Sequence, residues 1–277
     1  PSSLGLSAMR GFLSRLRRTP LLVGVLQQRQ FKIPGVPGPP IVVSQDHKSM
    51  LELQARLKDD PSVKQWIPAG MVWHAGKFTA PLLRRVDLRR FIVDGSVGEG
   101  GTELKGASVI ELGSGPGMLA IALRRLGANV LATDGSPISV ALAKRNAEQN
   151  LQPSDGHFEA EQLLWGDEDH IHIARERLRA TTGHSEPDFI VMSETLYESN
   201  AHNAGKLWDT VAALSGPKTI AIVMQHSWGS PDDEAVMYED LRSRFECRDI
   251  PHDLVLTTAW RRLSHFNLVA IAFRMRA

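Results

Sequence analysis

Cysteine is almost missing from this chain. Cys247 is the only one among 277 residues, so no internal disulfide can form, and the composition suits a reducing, intracellular compartment. No identifiable base accompanies that thiol in the sequence, which makes Cys247 an ordinary half-buried side chain and not a nucleophile. Long apolar runs are missing as well: none approaches the length of a membrane span, and no membrane partner is expected. A strong charge of either sign is absent. The formal net charge of +1 gives no global reason to expect nucleic acid as a partner. Locally, acids are absent before Asp46, whereas Arg10, Arg15, Arg17, Arg18, Arg29 and Lys32 all lie in that stretch. Residues 9–18 suit a basic amphipathic helix of the kind mitochondrial import signals use, with a solvated basic tail as the alternative. Residues 1–29 are accordingly set apart as a tail or transit peptide, which puts the chain in the cytoplasm or in the mitochondrion.

The hydrophobic share of 42% is ample for a core. One catalytic domain is expected over residues 30–277, divided into an N-terminal extension at 30–76 and a core at 77–277. No internal repeat is present, and a monomer is expected.

The most informative segment runs Val109-Ile110-Glu111-Leu112-Gly113-Ser114-Gly115-Pro116-Gly117, an apolar strand ending in an acid and a glycine loop. Glycine suits a strand-to-helix turn because it accepts unusual backbone angles and lets a ligand approach the N–H groups. A dinucleotide fingerprint would need its third glycine at position 118, where Met118 stands, so the spacing argues against NAD. It points to S-adenosylmethionine. Helical periodicity follows through Met118, Leu119, Ile121, Ala122 and Leu126 and stops at Gly127. A short strand over 129–133 then ends at Asp134, roughly 20 residues after the loop, as a ribose-binding carboxylate requires. Pro137 opens the next helix, to about Asn150. This is one half of an open α/β sheet, which binds ligands at the carboxyl ends of its strands.

Elsewhere, Phe31 and Ile33, a Pro/Gly turn at 34–40 and Ile41-Val42-Val43 predict a β-hairpin, followed by a helix at about 46–58. An amphipathic helix is expected from Lys77 to Phe91, and a mobile glycine-rich loop from Asp94 to Gly101. Further strands are expected at 159–165, 189–192, 219–225, 246–250 and 268–274, with a helix at about 232–244. The run Asp167-Glu168-Asp169-His170-Ile171-His172 has metal-ligand residue types, but adjacent side chains point different ways on regular structure. A solvated loop is expected there, and no metal site.

These elements together resemble a class I S-adenosylmethionine-dependent methyltransferase, and more narrowly the protein-lysine methyltransferases of methyltransferase family 16. The resemblance runs from about residue 30 to the C-terminus. It rests on Val72-Trp73, Leu104-Lys105-Gly106, Val109 to Gly113, Asp134, Leu164-Trp165-Gly166 and Glu194-Thr195-Leu196-Tyr197. It implies a Rossmann-like α/β fold: a seven-stranded sheet with helices on both faces and an antiparallel pair last, here preceded by a hairpin and helix extension. It implies that Glu111, Gly113, Ser114, Gly115 and Gly117 shape the methionine end of the cofactor pocket, and that Asp134 holds the ribose. Trp165 would lie along the adenine, Trp73 would help close the site, and Ser193 would sit at the cofactor edge of the fourth core strand. Glu194 and Tyr197 would face the methyl-accepting nitrogen of a protein substrate. Two departures stand out: the family more often has Asp where Glu194 stands, and 94–101 looks like an insertion.

Methyl transfer is an in-line displacement, so the enzyme chiefly supplies alignment of a neutral nucleophile. A lysine with a free pKa of about 10.4 must first lose a proton. The resemblance gives Glu194 an orienting role there, with an aromatic wall from Tyr197 and Trp73 favourable to a cation. A histidine-directed or small-molecule methyltransferase, or a non-catalytic cofactor-binding scaffold, are the alternatives that the residues leave open. The Asn/Asp-Pro-Pro-aromatic loop typical of base amino-methylation is absent.

Overall fold

A computed structural model describes residues 27–45, 72–73, 75–97, 100–152, 156–196, 201–226, 231–255 and 268–276. The expected transit segment over 9–18, the expected helix at about 46–58 and Tyr197 lie outside these residues.

Strand β3 (Ser108–Leu112) is buried along its whole length. It runs parallel between β4 (Asn129–Asp134) and β6 (Phe189–Ser193), and a strand covered on both faces reads as a continuous apolar run. With β5 (Phe158–Gln162), β7 (Ile220–His226), β8 (Phe245–Asp249) and β9 (Leu268–Met275), the sheet order is β5-β4-β3-β6-β7-β9-β8. In this sheet β9 runs opposite to the other strands, antiparallel to both β7 and β8. The chain leaves β3 toward β4 and β5, then returns to the other side of β3 as β6. That reversal puts a crevice at the carboxyl ends of β3 and β6, where open α/β sheets take their ligands.

Alternation along the strands splits the core in two. Val109, Val130, Val191, Ile222 and Met224 face helices α1 (Ala75–Leu83), α2 (Leu88–Asp94), α3 (Met118–Arg125) and α4 (Pro137–Asn150). Ile110, Leu131, Ile190, Met192 and Val223 face α5 (Glu168–Thr182), α6 (Ala204–Leu214) and α7 (Pro231–Arg244). Trp208 of α6 is fully buried there and stands edge-on to Phe273, ring centroids 6.0 Å apart. The expected Rossmann-like architecture, with helices on both faces, is the observed one.

The N-terminal hairpin is also present, as β1 (Gln27–Phe31) paired antiparallel with β2 (Ile41–Gln45). It is fastened to α4 by two asparagines that mimic a neighbouring strand. Asn146 accepts from the Ser44 N–H at 2.9 Å and donates to the Ser44 carbonyl at 3.1 Å. Asn150 treats Val42 the same way at 2.8 and 2.7 Å.

Four elements differ from the sequence reading. The single helix expected over 77–91 is two helices, because Thr102 inserts between them. Its N–H donates to the carbonyls of Leu83 and Val86, its Oγ1 accepts from Leu88 N–H at 3.1 Å, and Asp87 caps the second helix. That helix runs to Asp94, so the loop expected from Asp94 begins at Gly95. The strand expected over 159–165 ends at Gln162, because Leu163 N–H turns to the Asp134 carbonyl at 3.0 Å. The loop expected around 167–172 is the start of α5: Asp167 accepts from His170 N–H at 3.0 Å as its N-cap.

Candidate functional site

The loop after β3 needs glycine at Gly113 and Gly117, which hold φ of 75° and 83°. A Cβ on Gly113 would come within 2.9 Å of the Thr195 methyl, and one on Gly117 within 2.9 Å of the Ala143 Cβ. Asp134 braces this loop from the tip of β4. Its Oδ2 accepts the Gly115 N–H at 2.9 Å and its Oδ1 the Ser136 N–H at 2.8 Å. Asn146 reaches the same loop through the Pro116 carbonyl at 2.8 Å, so one side chain links the hairpin to the glycine turn.

Glu111, Asp134, Ser193 and His226 stand on one sheet face, that of α1 to α4. Glu111 is in register with Ala132 and with Val191, so Asp134 and Ser193 lie two positions beyond it toward the carboxyl edge. Ser193 is in register with Met224, which places His226 two positions further still. Four neighbouring strands thus bring polar side chains to one rim in a stepped row.

The two acids on β3 and β4 are buried at 2% and 7% exposure. Burial pushes Glu111 up to about 8, against the pull of the Ala120 N–H, and the charge of Asp134 adds to the rise. Burial likewise pushes Asp134 up to about 6, opposed by hydrogen bonds from Ser136, Gly115 and Ser139. Glu111 Oε2 and the Ser114 and Ser193 hydroxyls have no hydrogen-bond partner among the described residues. A buried carboxylate oxygen without a donor costs free energy that a cation or donor offsets. S-adenosylmethionine carries an ammonium and a ribose diol. The orphan Glu111 oxygen suits the first, and Asp134, with lone-pair capacity beyond the three hydrogen bonds it already accepts, suits the second. The residues present fit the cofactor that the sequence points to.

Glu194, one residue past β6, has the left-handed φ of 54°. Its Oε1 accepts the Ala75 N–H at the start of α1 at 3.2 Å, and its Oε2 accepts the His226 N–H at 3.1 Å. The His226 Nδ1 also meets Oε1. This carboxylate joins the β6 end to the start of α1, and Trp73 is half-buried just ahead of that helix. Trp165 lies in the turn after β5, half-buried, and packs with Ile171 against the core of the opposite sheet face.

The structure therefore brings Glu111, Gly113, Ser114, Gly115, Gly117, Asp134, Ser193 and Glu194 to one rim, with Trp73 just ahead of α1 and Trp165 apart from them, in the turn after β5 and against the core of the other sheet face. Sequence reasoning missed Thr195, whose Oγ1 donates to the Leu112 carbonyl at 3.2 Å, and Asn146; nothing local marks either. It also missed His226, which did carry a signal: a polar residue ending an unbroken apolar strand, as Asp134 does. Cys247 is half-buried and its thiol is pushed up to about 11 by burial, as an unreactive side chain should be. No helix among the described residues is long and apolar enough to cross a membrane.

A family model for lysine methyltransferases matches residues 54–238. Protein N-lysine methyltransferase METTL21A of Danio rerio is 28% identical over 155 residues, which span 56% of this chain and 64% of that protein. The ribosomal protein L11 methyltransferase of Myxococcus xanthus (strain DK1622) is 50% identical over 52 residues, 18% of each chain. The chain thus spans less than two thirds of the length of either relative. Among solved structures, the T. Thermophilus 16S rRNA N2 G1207 methyltransferase (RsmC), in complex with AdoMet and guanosine, superposes with a TM-score of 0.52 at 18% identity. It covers 93% of this chain and 52% of that one, and the likeness is one of fold.

Proposed function

We propose that this chain, which belongs to the lysine methyltransferase family, is an S-adenosylmethionine-dependent methyltransferase that methylates the side-chain amine of a lysine in a protein substrate. The observation that carries this reading is the rim itself, which lies within the stretch matched by the family. A glycine turn closed by Asp134, a buried Glu111 with one orphan oxygen, and Glu194 tied to the start of α1 stand along adjacent strand ends.

On this reading, Glu111, Ser114 and the glycine loop hold the methionine end of the cofactor, Asp134 the ribose and Trp165 the adenine. Ser193 marks the cofactor edge of the acceptor site, and Trp73, Glu194 and Tyr197 surround the incoming amine. The bound cofactor supplies an electrophilic methyl group on a sulfonium. What the chain adds is alignment of the nucleophile with it and exclusion of competing geometries. The carboxylate of Glu194 already accepts from backbone and imidazole donors, so its contribution is charge and placement. The methyltransferase domain extends over 30–277 on this view, and β1 carries its ordered edge back to Gln27.

The test is labelled-methyl transfer from S-adenosylmethionine into a lysate of cells lacking the enzyme, with mass spectrometry of the product. Label on the lysine of a protein is expected. Label confined to histidine or to small molecules would reassign the acceptor, and a folded protein that binds cofactor yet transfers nothing would be a scaffold.

A further inference from the structure

His226 ends β7 on the same sheet face as Glu111 and Ser193, against the carboxylate that also holds the N-terminus of α1. Both side chains of the pair are buried, Glu194 at 3% and His226 at 10% exposure. Three N–H groups converge on Glu194: those of Ala75 and His226 on the backbone, and the His226 ring. An ionised carboxylate can only accept, so the Nδ1 that meets it carries the proton, and in the neutral ring Nε2 is then the basic atom. Gripping a substrate ammonium with Glu194 would compete with three existing hydrogen bonds. An imidazole locked in one tautomer keeps its other nitrogen as the proton acceptor.

We propose that His226 is the general base of the methyl transfer and that Glu194 is the positioning residue that fixes its tautomer. The proposal rests on the lysine reading above, since a lysine arrives as an ammonium. The N–H bond of that ammonium breaks with its electron pair left on nitrogen, an N–H bond forms at Nε2, which is buried in the cofactor-free chain, and the imidazolium returns the proton to solvent when the product leaves. The groups that bear on the ring come from three elements. Glu194 follows β6, α1 brings the Ala75 N–H to the same carboxylate, and β9 pairs Leu268 opposite His226. A charged partner of the ring is Glu194.

The experiment compares the wild type with His226→Gln and Glu194→Gln in labelled-methyl transfer from S-adenosylmethionine into a dialysed lysate lacking the enzyme. Cofactor affinity is measured in parallel by calorimetry. At about pH 7 the His226→Gln rate should fall by about 10²- to 10⁴-fold. Its cofactor Kd should stay within about threefold, well under the tenfold that 1.4 kcal/mol would produce. Near pH 9.5, closer to the lysine pKa of about 10.4, solvent removes the proton and the deficit should shrink about tenfold or more. Glu194→Gln cannot accept on both side-chain atoms, so it should show the same pH-dependent deficit, and nitrogen NMR should show the His226 tautomer mixed where the wild type shows Nδ1–H alone. A His226→Gln rate within about threefold of wild type, or a deficit equal at both pH values, overturns the proposal. Label on histidine overturns it too, because an imidazole with a pKa of about 6.5 needs no base at pH 7. A wild type that binds cofactor and transfers nothing overturns the lysine reading itself, which separates the two failures.

Discussion

Glu111 and Glu194 are both buried glutamates at the carboxyl ends of adjacent strands, yet their surroundings are opposite. Glu111 keeps one oxygen without a partner and is pushed up to about 8 by burial. Glu194 receives three N–H donors from two other elements. The first carboxylate gains when a cation or donor arrives; the second is satisfied before anything binds and serves to hold α1 and β7 in place. On our reading, the rim is divided accordingly: β3 and β4 receive the cofactor, while β6 and β7 keep the shape of the acceptor side.

Breaking the two halves separately should give different losses. The largest is expected at Glu194→Ala, which frees His226 and the start of α1. Transfer should drop by about 10²- to 10⁴-fold while cofactor affinity stays nearly unchanged, as steady-state rates and calorimetry on the same preparation will show. Survival of activity would mean that the strand-end motif has been assigned wrongly. Asp134→Ala should act on the other half, weakening cofactor binding by roughly 10- to 100-fold through loss of charge-assisted hydrogen bonds of about 1.5–3 kcal/mol. A titration of that variant with unchanged affinity would remove Asp134 from the ribose site.

A smaller effect should appear in stability against pH. Glu111 releases its proton near 4.5 in an unfolded chain and near 8 in the fold, so the folded state binds that proton more tightly. The resulting stabilisation is complete below about 4.5 and is lost as pH rises through about 8. Asp134 acts in the same sense between 3.8 and about 6. The cofactor-free protein should therefore melt a few degrees lower at about pH 8.5 than at about pH 5, and Glu111→Gln should flatten the upper part of that slope. An unchanged slope in the variant would show that Glu111 is not the group responsible. The smallest effect belongs to a residue outside both halves. Cys247→Ala should leave transfer intact, because burial raises that thiol to about 11 and keeps it from acting as a thiolate; a lost rate would give it an unforeseen role.

The same division explains what could be read from the residues alone. The β3 strand, the glycine loop and Asp134 are contiguous in the chain and carry their signals in spacing, so the fold class and the cofactor followed from them. The helix α5 was missed because only Ala174 and Leu178 are buried on it, too thin a stripe to outweigh its run of charged residues. The break between α1 and α2 depends on Thr102, which lies beyond both helices in the chain. On the acceptor side, Glu194 meets Ala75 across 119 positions and His226 across 32. Contacts of that range leave no local pattern, and only the position of His226 at a strand tip hinted at its place.

The central claim is that the rim formed by Glu111, the 113–117 loop and Asp134 binds S-adenosylmethionine. Calorimetric titration of the cofactor into folded protein tests it most directly. Saturable binding with a sub-millimolar Kd is the predicted result, and a flat titration with protein shown to be folded would contradict it.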